Sequence, residues 1–166
     1  MLMFNRTTLL VVIAALAAGL GLWASQRMLA PKAEGPALEL ARMLPTPREI
    51  PAFSLSGADG AVVDPAALRG RWTLVFIGFT HCPDVCPTTL AELGQAERRW
   101  SEALPEAERP RILFVSIDPE RDTPELAQEY AGHFTRTGLA ATGSVPALEA
   151  FARSLSMVFM KVPQGE

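Results

Sequence analysis

The pattern of apolar and polar positions divides the chain into three parts, of which the first is an apolar N-terminal stretch. Residues 9–24 read LLVVIAALAAGLGLWA and carry no charge, and with their uncharged neighbours they are about long enough to cross a bilayer as a helix. Trp23 stands where an interfacial aromatic residue is expected. Because no small-x-small cleavage site follows, the pattern predicts an uncleaved signal anchor over residues 1–25. The alternative is a cleaved signal peptide, and either places the rest of the chain outside the cytosol.

The second part, residues 26–49, is rich in proline, alanine and charged residues. This composition is typical of a tether that lifts a domain off a membrane. A short helix at 37–43 is compatible with it. The third part, residues 50–166, is predicted to be the folded domain.

Within the domain, apolar runs and turn residues predict the strands. Residues 53–55 and 61–63 flank the sequence GADG, which is a hairpin signal. The near-continuous apolar runs WTLVFIGF at 72–79 and RILFVSI at 111–117 predict strands buried on both faces. The sequence MVFMKV at 157–162 predicts the start of a further strand.

Helical periodicity predicts three helices between these strands. The first begins near Pro87 and ends near Leu104, and the second follows Thr123, an N-cap residue with a proline directly after it. The third is predicted at 145–155. Because long strands alternate with helices, the pattern predicts an α/β fold with a central sheet flanked by helices and an N-terminal hairpin.

Composition and charge narrow the function classes. The chain has 166 residues and a formal net charge of -3, so it lacks the excess of positive charge that is typical of nucleic-acid-binding proteins. With two cysteines the chain is not a disulfide scaffold, and two histidines are few for a metal enzyme. The absence of a Gly-rich loop speaks against phosphate binding at the strand ends.

The motif that carries chemistry is the sequence FTHCPDVCP at 79–87, with Cys82 and Cys86 separated by three residues. It follows a buried strand and opens a helix, where free N–H groups favour a thiolate, and Cys86 is closest to the expected helix start. Four residues apart on a helical turn, both sulfurs can meet one metal ion or each other. Soft thiolates suit copper(I), whereas a thiol–disulfide oxidoreductase usually has C-x-x-C spacing. The spacing leaves copper binding and redox chemistry open, and buried structural thiols remain the plain alternative.

Other candidate residues have plain interpretations beside the functional one. His81 adjoins Cys82 and is expected to orient the loop rather than bind the same ion. His133, at the end of a predicted helix, is expected at the surface. The charged turn at 118–122 follows the second buried strand, so either it is a capped turn, or Asp118 or its neighbours shape the site. Core packing is expected for two methionines near the C-terminus, Met157 and Met160.

The motifs FTHCPDVCPTTL at 79–90 and VSIDPERDTPE at 115–125 strongly resemble the Sco/SenC family of membrane-tethered copper proteins, and the likeness covers roughly residues 50–162. The resemblance implies a thioredoxin-like fold, a copper ion as cargo, and Cys82 and Cys86 as both the copper thiolates and the redox pair. It also implies that the domain faces the periplasm from a bacterial inner membrane. The implied partner is cytochrome c oxidase subunit II, whose dinuclear copper centre receives copper or is reduced, with other copper chaperones or thiol reductants as further partners.

One feature of the family has no counterpart in this sequence. The family's third copper ligand is a histidine in an Asp-His-Ser-type motif after the third helix, and neither His81 nor His133 matches it. The family's last strands and last helix are also expected to be missing, which would leave an apolar sheet edge and an unstable product. The expected function is therefore a copper metallochaperone, with an exported thiol–disulfide reductase or a non-functional fragment as alternatives.

Overall fold

The chain divides into two compact units, Met1–Pro47 and Arg48–Glu166. The structure is a computed structural model and describes residues 5–29, 44 and 46–160. In the first unit, helix α1 spans Arg6–Leu29, and its segment Arg6–Ser25 is long and apolar enough to cross a membrane, a test that signal sequences also pass. The helix expected at 37–43 lies outside the described residues.

The second unit alternates strands and helices. Two short 3-10 helices, Ala58–Gly60 and Glu106–Glu108, lie in its connections. The regular elements in chain order are β1 (Leu55–Gly57), β2 (Val62–Val63), β3 (Thr73–Gly78), α2 (Val85–Ala103), β4 (Arg111–Ser116), α3 (Pro124–Phe134), β5 (Leu139–Thr142) and α4 (Val145–Ser154).

The strands form one mixed sheet in the order β2-β1-β5-β4-β3. Strands β3, β4 and β5 run parallel, and β1 pairs antiparallel with both β5 and β2. Because β3 and β4 are parallel neighbours, the chain leaves both strands at the same edge of the sheet. The predicted α/β class is confirmed.

Strand β4 shows how the sheet builds a core on each face. Leu113 and Val115 join a cluster with Leu148 and Phe151 of α4, whereas Phe114 between them joins a cluster with residues of α2 and α3. This alternation follows from the two-residue period of a strand. All of β4 from Ile112 to Ser116 is buried, as its apolar run predicts for a strand covered on both faces.

Two local predictions are confirmed by backbone geometry. The hairpin between β1 and β2 turns at Asp59 and Gly60, whose φ angles of 55° and 73° are the left-handed conformation that this dipeptide tolerates. Helix α3 begins after Thr123, whose hydroxyl accepts a hydrogen bond from the N–H of Leu126 at 3.2 Å, with Pro124 in the first helical position.

Two expectations about strands need correction, and one strand has no predicted counterpart. Strand β5 was not predicted, because its sequence LAAT lacks the β-branched and aromatic residues that mark strands, yet it is central and mostly buried. Strand β3 is not buried on both faces, because Leu74 is 40% exposed; β3 is also an edge strand that pairs with β4 alone in the described sheet. The strand predicted at 157–162 is wrong for 157–160, which have no regular structure, and its last two residues lie outside the described residues.

Candidate functional site

The two cysteines lie where the chain passes from β3 into α2. Both are free thiols, Cys82 half-buried in the loop and Cys86 buried in the first turn of the helix. The loop is closed by a hydrogen bond from the N–H of Cys82 to the carbonyl of Phe79 at 3.3 Å. The predicted placement of the pair after a strand and at a helix start is confirmed.

The sulfur of Cys82 takes the role of a capping side chain at the start of α2. Asp84, the N-cap residue directly before α2, makes no side-chain capping bond. The N–H of Cys86 instead donates to Cys82 Sγ at 3.4 Å. Backbone N–H groups of Asp84, Cys86 and Val85 act together to lower the pKa of Cys82. A sulfur that accepts free N–H groups at a helix N-terminus is favoured as a thiolate.

Cys86 has the opposite environment. Its side chain is 6% exposed, and burial raises the pKa of Cys86 to about 11. The free N–H groups expected to favour a thiolate therefore act on Cys82, although Cys86 lies closer to the helix start. The physical reason is that α2 begins at Val85, so Cys86 lies inside the first turn with its sulfur packed inward, while its N–H points to Cys82.

Gly78, the last residue of β3, makes the space for the Cys86 sulfur. A Cβ atom at this position would lie 2.9 Å from Cys86 Sγ and 3.1 Å from Cε2 of Phe114. These distances are shorter than ordinary van der Waals contact, so no larger residue fits here without displacing the sulfur or the ring. The glycine thus fixes how deeply Cys86 is buried.

A buried carboxylate, Asp122, ties the loop after β4 to the start of the cysteine loop. Its Oδ2 accepts hydrogen bonds from the N–H of Thr80 at 2.8 Å and the hydroxyl of Ser116 at 2.5 Å, and its Oδ1 accepts from the hydroxyl of Thr80 at 2.5 Å. Burial alone would raise the pKa of Asp122, but the hydrogen bonds from Ser116 and Thr80 outweigh it and lower that pKa. Asp122 is therefore an anion that the surrounding donors stabilise.

His81 belongs to this network. Its Nδ1 lies 3.0 Å from the hydroxyl oxygen of Thr80 and 3.5 Å from Oδ1 of Asp122, while its side chain is 52% exposed. With the hydroxyl proton of Thr80 donated to Oδ1 of Asp122, the tautomer of His81 that is protonated at Nδ1 would donate to the hydroxyl oxygen of Thr80. The expectation that His81 orients the loop agrees with these contacts.

The remaining predicted residues lie apart from the sulfurs or are structural. His133 is exposed in the last turn of α3, as expected. Asp118 is buried and pairs with Arg121 in the same turn. Met157 is half-buried, but Met160 is 82% exposed, so core packing is wrong for Met160.

The donor set fits a soft metal ion of low coordination number. Two adjacent thiols suit copper(I), whereas no cluster of three or more Cys, His, Asp or Glu side chains exists among the described residues.

Nearby, the hydroxyl of Tyr130 is buried without a hydrogen-bond partner in the described part of the chain. Burial raises the pKa of Tyr130, and negative charge on Cys86, Cys82 and Asp122 raises it further.

The sequence motifs pointed to the cysteine loop but not to what holds it. Thr80, Ser116 and Gly78 were not predicted as site residues, and in the turn at 118–122 the residue that reaches the loop is Asp122 rather than Asp118. Polar residues that follow two adjacent parallel strands were the available signal, since both strands end at one edge of the sheet.

Comparison with known proteins identifies relatives of this site and fold. A match to the SCO1/SenC family covers residues 41–166. A putative copper-binding protein from Stutzerimonas stutzeri is 34% identical over 126 residues, which are 75% of this chain and 60% of that protein. The chain spans 34% to 60% of the length of eight such curated relatives.

Solved structures support the same relationship. The structure of Bradyrhizobium japonicum ScoI with copper bound is 34% identical, with a TM-score of 0.62 over 70% of this chain and 72% of that one. BsSco, described with a disulfide switch as a member of the Sco family of cytochrome c oxidase assembly proteins, is 26% identical, with a TM-score of 0.58 over 68% of this chain and 67% of that one. The expected thioredoxin-like fold of the family is confirmed by this likeness. The chain belongs to the SCO1/SenC family.

Proposed function

We propose that this protein binds copper(I) through Cys82 and Cys86 and supplies it to cytochrome c oxidase. The observation that carries the proposal is the thiol pair itself, in which Cys82 Sγ accepts the N–H of Cys86 at 3.4 Å, so both sulfur-bearing residues meet at one helix start. Relatives with copper bound and a relative described as an oxidase assembly protein support the cargo and the destination. The acceptor is the dinuclear copper centre of subunit II.

The apolar helix supports the proposed location. Segment Arg6–Ser25 can hold the chain in a bacterial inner membrane, with the folded domain on the periplasmic side. As copper is cargo, the site has to release it as well as bind it. Two thiolates favour copper(I), which suits transfer in the reduced state.

The test is an anaerobic copper(I) titration of the reduced full-length chain in detergent against a chromophoric chelator. We expect one copper(I) per chain, lost in both Cys82→Ser and Cys86→Ser. His133→Ala serves as a surface control that should keep copper. His81→Ala tests whether the histidine beside Cys82 takes part in copper binding. A folded wild-type chain that yields all copper to the chelator would contradict the proposal.

A second candidate, thiol–disulfide reduction, is favoured by the unequal thiols. The pKa of Cys82 is lowered and the pKa of Cys86 is raised to about 11, as in a pair with one attacking and one resolving thiol. The Cys82 thiolate would attack a partner disulfide, forming a mixed disulfide and releasing one partner thiolate. Cys86 would then attack Cys82 Sγ, release the second partner thiol and leave an intramolecular disulfide, so two electrons pass to the partner.

The Cys86→Ser variant separates the two candidates. A reductase lacking its resolving thiol accumulates the mixed disulfide with the cysteines of subunit II, detected as a covalent adduct on a non-reducing gel. A copper donor without reductase activity forms no such adduct in the same variant, although it loses copper. Transfer of copper from the wild-type chain to metal-free, pre-reduced subunit II measures the donor function directly.

A further inference from the structure

The start of the cysteine loop depends on a side chain that is distant in sequence. Thr80 lies two residues beyond the end of β3, and its N–H is bound by Oδ2 of Asp122 at 2.8 Å across 42 residues of chain. The carboxylate thus replaces a strand partner at the point where the chain turns out of the sheet. The loop that carries Asp122 is itself fixed, because the N–H of Asp122 donates to the carbonyl of Asp118 at 2.9 Å and Ser116 is fully buried.

The hydrogen bonds of Asp122 are made to a buried, ionised acceptor. Its side chain is fully buried and accepts three hydrogen bonds, two of them from Thr80. Hydrogen bonds to an ionised acceptor are about twice as strong as neutral ones and fix geometry tightly. From Thr80 the chain reaches Cys82 within two residues, and the 3.3 Å bond from the N–H of Cys82 to Phe79 closes that turn.

We propose that Asp122 is the positioning residue of the thiol site, holding the Thr80–His81 segment so that Cys82 Sγ stays at the N-terminus of α2 opposite Cys86. The inference rests on the proposed function of the thiol pair, and the hydrogen bonds of Asp122 go to Thr80 and Ser116. Asp122 acts through Thr80, whose backbone and hydroxyl it binds. Without the carboxylate, the donors of Thr80 and Ser116 lose their acceptor, and the loop loses the anchor that sets the position of Cys82.

The chain offers a matched control in a second buried carboxylate. Glu97 is 3% exposed and also accepts three hydrogen bonds, from the N–H groups of Arg136 and Thr137 and from the hydroxyl of Thr137. It lies on α2, eleven residues beyond Cys86, which is about 16 Å along the helix. Glu97→Gln therefore repeats the chemical change of Asp122→Asn away from the thiols.

The experiment compares these variants by copper(I) affinity and by the equilibrium constant for thiol–disulfide exchange with glutathione, in the full-length chain in detergent. Asp122→Asn is expected to weaken copper(I) binding about 10- to 100-fold, as loss of a group that orients a ligand commonly does. It should also change the exchange constant. Glu97→Gln should lower stability while leaving both readouts at wild-type values.

Two further variants keep the inference testable if Asp122→Asn does not fold. Thr80→Val removes one hydroxyl and should move both readouts in the direction expected for Asp122→Asn. Thr80→Ser retains the hydroxyl and should leave both readouts at wild-type values. Wild-type values in folded Thr80→Val, or equal effects of Asp122→Asn and Glu97→Gln, would overturn the inference. If the wild-type chain binds no copper(I), the proposed copper function fails, and the exchange constant still decides the role of Asp122.

Discussion

The contact between Gly78 and Cys86 gives a prediction whose sign can be worked out atom by atom. In Gly78→Ala the new methyl carbon would lie 2.9 Å from Cys86 Sγ and 3.1 Å from Cε2 of Phe114. The φ angle of Gly78 is not positive, so alanine meets no backbone strain and the cost is steric alone. Since optimal contacts lie near 3.5–4.0 Å, the sulfur or the ring has to move by roughly half an ångström or more. Overpacking of this kind typically costs about 1–3 kcal/mol.

The assay is urea unfolding of the reduced full-length chain in detergent, followed by tryptophan fluorescence. The matched control is Gly132→Ala in α3, where an added Cβ has no atom within 4 Å. Replacing an open helical glycine by alanine stabilises a protein by roughly 0.5–1 kcal/mol. The same chemical change is thus expected to lower the free energy of unfolding at Gly78 and to raise it at Gly132.

A second readout connects the stability change to the site. If the methyl group displaces the Cys86 sulfur from its buried place, Cys86 should react faster with iodoacetamide in folded Gly78→Ala than in the wild type. Gly132→Ala should leave that rate unchanged. A Gly78→Ala chain as stable as the wild type, with Cys86 equally protected, would refute the reasoning that the glycine sets the depth of this sulfur.

Three further predictions concern the titrating and buried groups. With a pKa of about 11, Cys86 is only roughly 0.03% thiolate at pH 7.5, so iodoacetamide peptide mapping of the reduced protein should find Cys82 alkylated first; equal rates would contradict the asymmetry. Glu97→Ala leaves three donors without an acceptor and should cost about 2–4 kcal/mol in urea unfolding, and a loss below 1 kcal/mol would contradict this. Because the pKa of Asp122 is lowered on folding, its stabilisation is complete above the unfolded-state value of about 3.9 and is lost as the pH falls through the folded-state value. The difference in free energy of unfolding between wild type and Asp122→Asn should therefore narrow below about pH 4, as measured by urea unfolding at a series of acidic pH values. A difference that stays constant would exclude the ionised Asp122 carboxylate as its source.

Elements with local signals were predictable, and elements defined by distant partners were not. The hairpin turn at Asp59 and Gly60 and the start of α3 after Thr123 depend on backbone preferences of one or two residues. Strand β5 has no such signal, because its alanines become a strand through pairing with β4 and β1 on either side. Tertiary context overrides weak β-propensity here, as it commonly does at the centre of a sheet.

The same division applies to the candidate site. Cys82 and Cys86 were identifiable from spacing and from their place before a helix, but their relative acidity was not. That difference depends on where α2 begins, because with its start at Val85 the N–H of Cys86 donates to Cys82 Sγ. The role of Asp122 depends on the parallel pairing of β3 with β4, which no local pattern in the motif reveals.

The unequal thiols impose one order of events on both proposed activities. Cys82 is the more exposed sulfur and the one favoured as a thiolate, whereas Cys86 is 6% exposed beneath it. An incoming copper donor or a partner disulfide therefore meets Cys82 first, and Cys86 completes the second bond in either case. Kinetic evidence that Cys82 reacts first thus cannot distinguish copper transfer from disulfide reduction. The distinction has to come from the second step, in which Cys86 either shares the metal ion or displaces the partner from Cys82.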